Sequence, residues 1–154
     1  VDLIKGIGAC AGLDVAKVDG VTGTVHTNFK GKVLAAMNEL AKGKDFIYVH
    51  IEAPDAASHR GEVETKIKAI EMVDSVLGMI LEGLNQYDTY KIALLPDHPT
   101  PISTLTHSND PVPFAIYTKG QDNKNEIQTF SEDAAASSGL VIPGHELMDY
   151  FIRG

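Results

Sequence analysis

Phe46-Ile47-Tyr48-Val49-His50-Ile51 is an almost unbroken run of aromatic and β-branched residues. Such a run predicts a strand buried on both faces, as in a parallel sheet covered by helices. Lys91 to Leu95 reads the same way and is stopped by Pro96. Phe114 to Tyr117 predicts a further short strand. Helices separate these segments. Asn28 can cap the first, in which Phe29, Val33, Met37, Leu40 and Ala41 recur at steps of three and four before Gly43 stops it. A long helix is predicted over Glu62 to Leu84. Its apolar stripe is Val63, Ile67, Ile70, Val73, Leu77, Ile80, Leu81 and Leu84, and Glu62 and Glu64 suit the dipole of its first turn. Alternating helices and strands predict an α/β fold, layered around a mainly parallel sheet.

The flanking segments are less marked. Leu3, Ile4, Ile7 and Cys10 predict a short helix over residues 2 to 12, ended by Gly12. Asp14 to Val18 alternates weakly and predicts a strand. Gly20 to Asn28 reads as a loop. Residues 96 to 111 hold four prolines and predict a structured loop. Gly120 to Asn125 is polar and predicted to be exposed. Glu132 to Ala136 predicts a short helix. Glu146 to Ile152 predicts a last one, with Leu147, Phe151 and Ile152 inward.

Composition narrows the function classes. The chain has 154 residues, 44% hydrophobic and 22% charged, which suits one folded domain rather than a disordered segment. Its 13 basic and 21 acidic residues give a net charge of -8, and Arg60 and Arg153 are its only arginines. No basic cluster offers a groove to nucleic acid. No apolar run approaches the ~20 residues that cross a bilayer. Single Cys10 forms no internal disulfide, fits a reducing compartment and is expected to be buried. Val1 is neither a methionine nor the start of a signal peptide. No phosphate-cradling glycine loop or dinucleotide fingerprint is present.

The ligand-type residues fall where the predicted strands end. Asp55-Ala56-Ala57-Ser58-His59 follows one strand and Asp97-His98 follows another, with His107 in the proline-rich loop beyond. Strand ends form the binding edge of open α/β sheets. Carboxylate oxygen and imidazole nitrogen suit Zn²⁺, Mn²⁺ and similar ions. Asp55 and His59, four apart, share a face of one helical turn and can grip one ion. Asp97 and His98 splay, so they reach either two faces of one ion or a second ion. Two close ions form a clamp suited to phosphoryl transfer. Taken singly, Asp97 can cap a turn and His107 can be a loop histidine. Arg60 suits a phosphate or carboxylate oxyanion, and equally a pairing with Glu62 or Glu64. Glu52 can accept from a ligand histidine. His50 reads as a core histidine, and His145 as structural. The loop of His26, Thr27, Asn28 and Lys30 can be a solvated cap or a phosphate dock. Pro99 and Pro101, with Pro111 and Pro113, would stiffen the ligand loop.

Three separated motifs occur in order: Glu52-Ala53-Pro54-Asp55-Ala56-Ala57-Ser58-His59-Arg60-Gly61, Leu95-Pro96-Asp97-His98-Pro99-Thr100-Pro101 and His107-Ser108-Asn109-Asp110-Pro111-Val112-Pro113-Phe114. They resemble the metal-binding segments of archaeal-type, cofactor-independent phosphoglycerate mutases of the alkaline phosphatase superfamily. Pro143-Gly144-His145-Glu146-Leu147-Met148 is similar to that family's C-terminal run. The resemblance implies a cytoplasmic enzyme that interconverts 2- and 3-phosphoglycerate in glycolysis and gluconeogenesis, with no 2,3-bisphosphoglycerate requirement. It implies two divalent ions, Mn²⁺, Zn²⁺ or Mg²⁺. Asp55, His59 and His107 would hold one, Asp97 and His98 the other. Arg60, from its place directly after His59, is the residue expected to be catalytic. The family transfers the phosphoryl group through a phosphoserine.

No serine here has the context of that nucleophile. Residues 1 to 154 are therefore expected to form one metal-binding α/β domain, the C-terminal part of a larger catalytic domain, with an incomplete sheet. Alone the segment is expected to be inactive, to expose apolar surface, and to pair with the missing N-terminal part or self-associate. The alternatives are a phosphopentomutase or metal-dependent phosphatase of the same superfamily, or a non-catalytic metal-binding module.

Overall fold

The computed structural model describes residues 2–121 and 127–154. Of the polar stretch predicted to be exposed, Gly120 and Gln121 are exposed, and 122–125 lie outside the described residues. The elements in order are helices α1 (Asp2–Cys10), α2 (Phe29–Ala41), α3 (Ala53–His59) and α4 (Val63–Leu84), strands β1 (Lys91–Leu94) and β2 (Ala115–Thr118), and helices α5 (Glu132–Ser137) and α6 (Leu147–Arg153). A single 3-10 turn, Gly144–Glu146, leads into α6. The chain divides into two compact units. One is Val1–Gln86 with Thr100–Thr106; the other is Tyr87–Pro99 with His107–Gly154.

The first unit is helical. Asn28 accepts from the Gly31 amide at 2.8 Å and starts α2, as its residue type predicts. Gly43 ends α2 at φ 92°, where a side chain would strain the backbone. Phe29, Val33, Ala53, Ala69 and Val76 form the core, with Val25, Met37, Ile51, Met72, Met79 and Ile80 packed around them. Burying Phe29 or Val33 contributes about 1.5–3 kcal/mol each. Ala57 and Ala69 are fully buried, and their small size lets α3 and α4 approach closely.

Four readings of this unit are corrected. Phe46 to Ile51 is not a strand, and Phe46 and Tyr48 are exposed at 38% and 55%. A strand needs a neighbour for its amides and carbonyls, and none pairs with this run among the described residues. The Lys32 ammonium ties it down instead, donating to the His50 carbonyl. The apolar stripe of α4 departs from the predicted one in its first half. Val63, Ile67 and Ile70 are about half exposed, while Ala69 and Val76 face the core; farther along, Leu84 is buried and Ile80 packs on the core as predicted. Asp14 to Val18 likewise forms no strand, and Cys10 is exposed rather than buried.

The second unit holds the one sheet among the described residues. β1 and β2 pair antiparallel, with Lys91 opposite Thr118 and Leu94 opposite Ala115. This overturns the layered, mainly parallel α/β fold. The proline-rich connection returns the chain in the opposite direction, and no helical crossover joins the two strands. β1 is half-buried along its length, so its apolar composition does not mark a strand covered on both faces. Tyr90 and Tyr117 lie 6.0 Å apart, and the Lys119 ammonium sits over the Tyr90 ring. The Ser131 hydroxyl caps α5 by accepting from the Ala134 amide. Phe114 meets Tyr150 of α6 edge-on at 6.4 Å. Leu147 and Phe151 are half-buried as predicted, but Ile152 is 65% exposed. Among the described residues, no helix is long and apolar enough to cross a membrane.

Candidate metal-ligating residues

Helix α3 positions the first two candidate ligands. Pro54 in its first turn has the fixed φ a helix start accepts, and Asp55 in that turn suits the dipole. Buried Ala53, Ala57 and Ser58 hold one side of α3 in place, and the Ser58 hydroxyl donates to the Pro54 carbonyl at 2.8 Å. Asp55 and His59 share the other side, with Asp55 Oδ1 3.3 Å from His59 Nε2. A carboxylate and an imidazole so placed are a two-donor grip for a divalent ion.

The segment 100–106 of the same unit holds both donors. The Thr100 hydroxyl donates to Asp55 Oδ1 at 2.6 Å. Hydrogen bonds to a charged acceptor contribute about 1.5–3 kcal/mol. Thr100 is 6% exposed, and the Lys66 ammonium of α4 donates to its carbonyl at 3.0 Å. His59 Nδ1 lies 2.8 Å from the Leu105 carbonyl. A carbonyl can only accept, so Nδ1 carries a proton, and Nε2, on the side of Asp55, is the nitrogen left to face an ion. Leu105 adopts φ 56°, a left-handed conformation costing about 1–2 kcal/mol for a residue with a Cβ. Its amide and that of Thr104 both donate to the Pro101 carbonyl, which helps to offset that cost.

Thr100, Lys66 and Leu105 were not singled out by sequence reasoning. A threonine between two prolines was a usable signal for Thr100. Leu105 acts through its backbone, so its side chain gave none. Glu52 is not the acceptor on His59 Nδ1; its carboxylate lies against Gly23 instead.

Arg60 follows His59 and is paired with Glu62, Nε to Oε1 at 2.7 Å and a terminal nitrogen to Oε2 at 3.0 Å. This fork holds the Glu62 carboxyl below its ordinary pKa and the guanidinium above its own. Burial pushes the Lys32 ammonium down, and Glu52 pulls it partly back.

In the second unit, the rings of His98 and His107 lie against each other at a 31° tilt, with centroids 3.7 Å apart. Asp97 Oδ2 lies 3.6 Å from His98 Nε2, too far for a hydrogen bond but close enough for two donors to face one ion. The Ser108 amide donates to the Pro99 carbonyl, and its hydroxyl donates to Asp110, so the loop on both sides of the histidine pair is tied down. His145 is exposed beside Glu146, and His26 is exposed.

Residues 1–152 match the family model of the metalloenzyme superfamily. The probable 2,3-bisphosphoglycerate-independent phosphoglycerate mutase of Geobacter sulfurreducens is 45% identical, over 99% of this chain and 38% of its own length. The 2,3-bisphosphoglycerate-independent phosphoglycerate mutase of Methanothrix thermoacetophila is 48% identical over 100% of this chain and 40% of its own length. That of Methanosarcina mazei is 49% identical over 92% and 36%. The solved structure of the PH0037 protein from Pyrococcus horikoshii is 33% identical with a TM-score of 0.89, over 98% of this chain and 45% of that one. The chain thus spans about two fifths of the length of these curated relatives. With a family model matched over nearly every residue, the chain belongs to the metalloenzyme superfamily.

Proposed function

We propose that the full-length protein carrying this chain is a metal-dependent phosphoglycerate mutase. It interconverts 2- and 3-phosphoglycerate through a phosphoserine, without 2,3-bisphosphoglycerate, in the cytoplasm. The chain acts as one metal-binding domain, the C-terminal part of a larger catalytic domain, and the nucleophilic serine comes from residues other than these 154. Relatives 45–49% identical that carry this activity in their names support the reading. The observation that carries it is the Asp55–His59 pair, with its histidine tautomer fixed for ligation.

Asp55, His59 and His107 hold one divalent ion through one carboxylate and two imidazoles, donor types that such ions take. Asp97 and His98 contribute to holding a second. Mn²⁺, Zn²⁺ and Mg²⁺ all suit phosphoryl transfer; Zn²⁺ fits the imidazole donors best, and Mn²⁺ and Mg²⁺ favour the carboxylates. When bound, such ions neutralise charge on the transferring phosphoryl group. His59 keeps its proton on Nδ1, held by the Leu105 carbonyl, and so presents Nε2 in one orientation. Arg60 exchanges Glu62 for an oxyanion of the substrate, since a guanidinium fork grips phosphate as it grips carboxylate. Exposed Val63, Ile67 and Ile70 are covered by the rest of the polypeptide or by a second copy.

Turnover of 3-phosphoglycerate by the full-length protein, with Mn²⁺ and after chelation, tests this reading. Turnover with Mn²⁺, its loss on chelation, and loss of Mn²⁺ binding in His107→Ala are expected. A metal-loaded, folded protein that leaves 3-phosphoglycerate unchanged would overturn the activity. Unchanged Mn²⁺ binding in His107→Ala would overturn the ligand set.

A further inference from the structure

We propose that Thr100 is a positioning residue for Asp55, and that the segment 100–106 shapes the α3 donor pair before an ion arrives. This rests on the reading of Asp55 and His59 as ligands. Thr100 is nearly fully buried, so its hydroxyl must find a partner inside the fold. That partner is Asp55 Oδ1, the oxygen that also lies closest to His59 Nε2. Lys66 of α4 fixes Thr100 from behind by donating to its carbonyl. Pro99 and Pro101 remove backbone freedom on either side. The hydroxyl therefore reaches Asp55 from a stiff and anchored support.

The same segment grips the second donor. The Leu105 carbonyl orients His59, and the Cδ2 of Leu105 stands where a Cβ on Gly61 would come within 3.3 Å. Asp55 and His59 are thus held from one loop by two unlike groups, a hydroxyl and a carbonyl. An aspartate free to rotate would have to be ordered at the moment of binding; one already held loses less entropy. Partners of this kind typically govern metal affinity by 10- to 100-fold.

The test is a Mn²⁺ titration of the full-length protein and of its Thr100→Val, Thr100→Ser and Asp55→Asn variants, with the thermal midpoint of each metal-free form. Thr100→Val is expected to weaken Mn²⁺ binding about 10- to 100-fold. Thr100→Ser is expected to restore it, and Asp55→Asn to abolish it at that site. Wild-type affinity in Thr100→Val, with binding lost in Asp55→Asn, overturns the positioning role and leaves the ligand reading standing. Wild-type affinity in Asp55→Asn overturns both. Serine as weak as valine, with a matching fall in the metal-free midpoint, assigns Thr100 to packing and overturns the proposal. Thr100→Ala takes the place of the valine variant if that one does not fold.

Discussion

Arg60 and Glu62 are two residues apart, straddling the glycine that turns the chain from α3 into α4. Gly61 has φ 69°, and its amide and that of Glu62 close the end of α3 on the carbonyls of Ser58 and Ala57. The turn brings the guanidinium onto the carboxylate. Because the Glu62 pKa is lowered in the folded chain, the pair contributes stability above the unfolded carboxylate value. That contribution is lost as pH falls through the lowered folded value. Both groups are exposed, so the effect is small. Thermal melts of wild type and Glu62→Gln against pH should differ slightly at neutral pH and converge in acid. A gap that widens in acid would contradict the pairing. The Arg60–Glu62 alternative was legible from sequence proximity. The carbonyl on His59 was not, because backbone acceptors leave no mark on residue type.

At the scale of the element, α4 shows where periodicity runs out. Its 22 residues carry apolar side chains on more than one face, so spacing alone does not fix its rotation. The predicted stripe holds at its C-terminal end, where Leu84 is buried and Ile80 packs on the core, but not at Val63, Ile67 and Ile70. Packing selected the face of Ala69 and Val76, because α3 comes close only over small side chains. The two faces give opposite expectations. Ala69→Leu should destabilise the chain by about 1–3 kcal/mol through overpacking. Ile70→Ser, on the half-exposed face, should cost about 0.5 kcal/mol or less. Chemical denaturation of the two variants distinguishes them, and a reversed order would return α4 to the sequence-predicted phase. The run 46–51 failed for a related reason. Its composition favours a strand, but strand pairing is a property of neighbours and not of the run itself. The helix start at Asn28 and the stop at Gly43, by contrast, are local chemistry and were legible.

At the scale of the whole molecule, both units are discontinuous in sequence: Thr100–Thr106 completes a body otherwise built from residues up to Gln86, and interrupts the other. This organisation has a kinetic consequence. Thr100 meets Asp55 across 45 positions, and Leu105 meets His59 across 46. Closing a loop of that length costs about 3 kcal/mol of chain entropy, and the second closure follows the first almost without further loss. The helices form by local contacts and can precede both. Thr100→Val is therefore expected to speed unfolding and leave the refolding rate nearly unchanged, as measured in stopped-flow denaturant jumps. Refolding slowed in proportion to the lost stability would place the segment in the folding nucleus instead. With the expected result, a newly made chain acquires its helices first and its ability to hold an ion afterwards, so metal capture is timed by a loop rather than by the helix that carries the ligands.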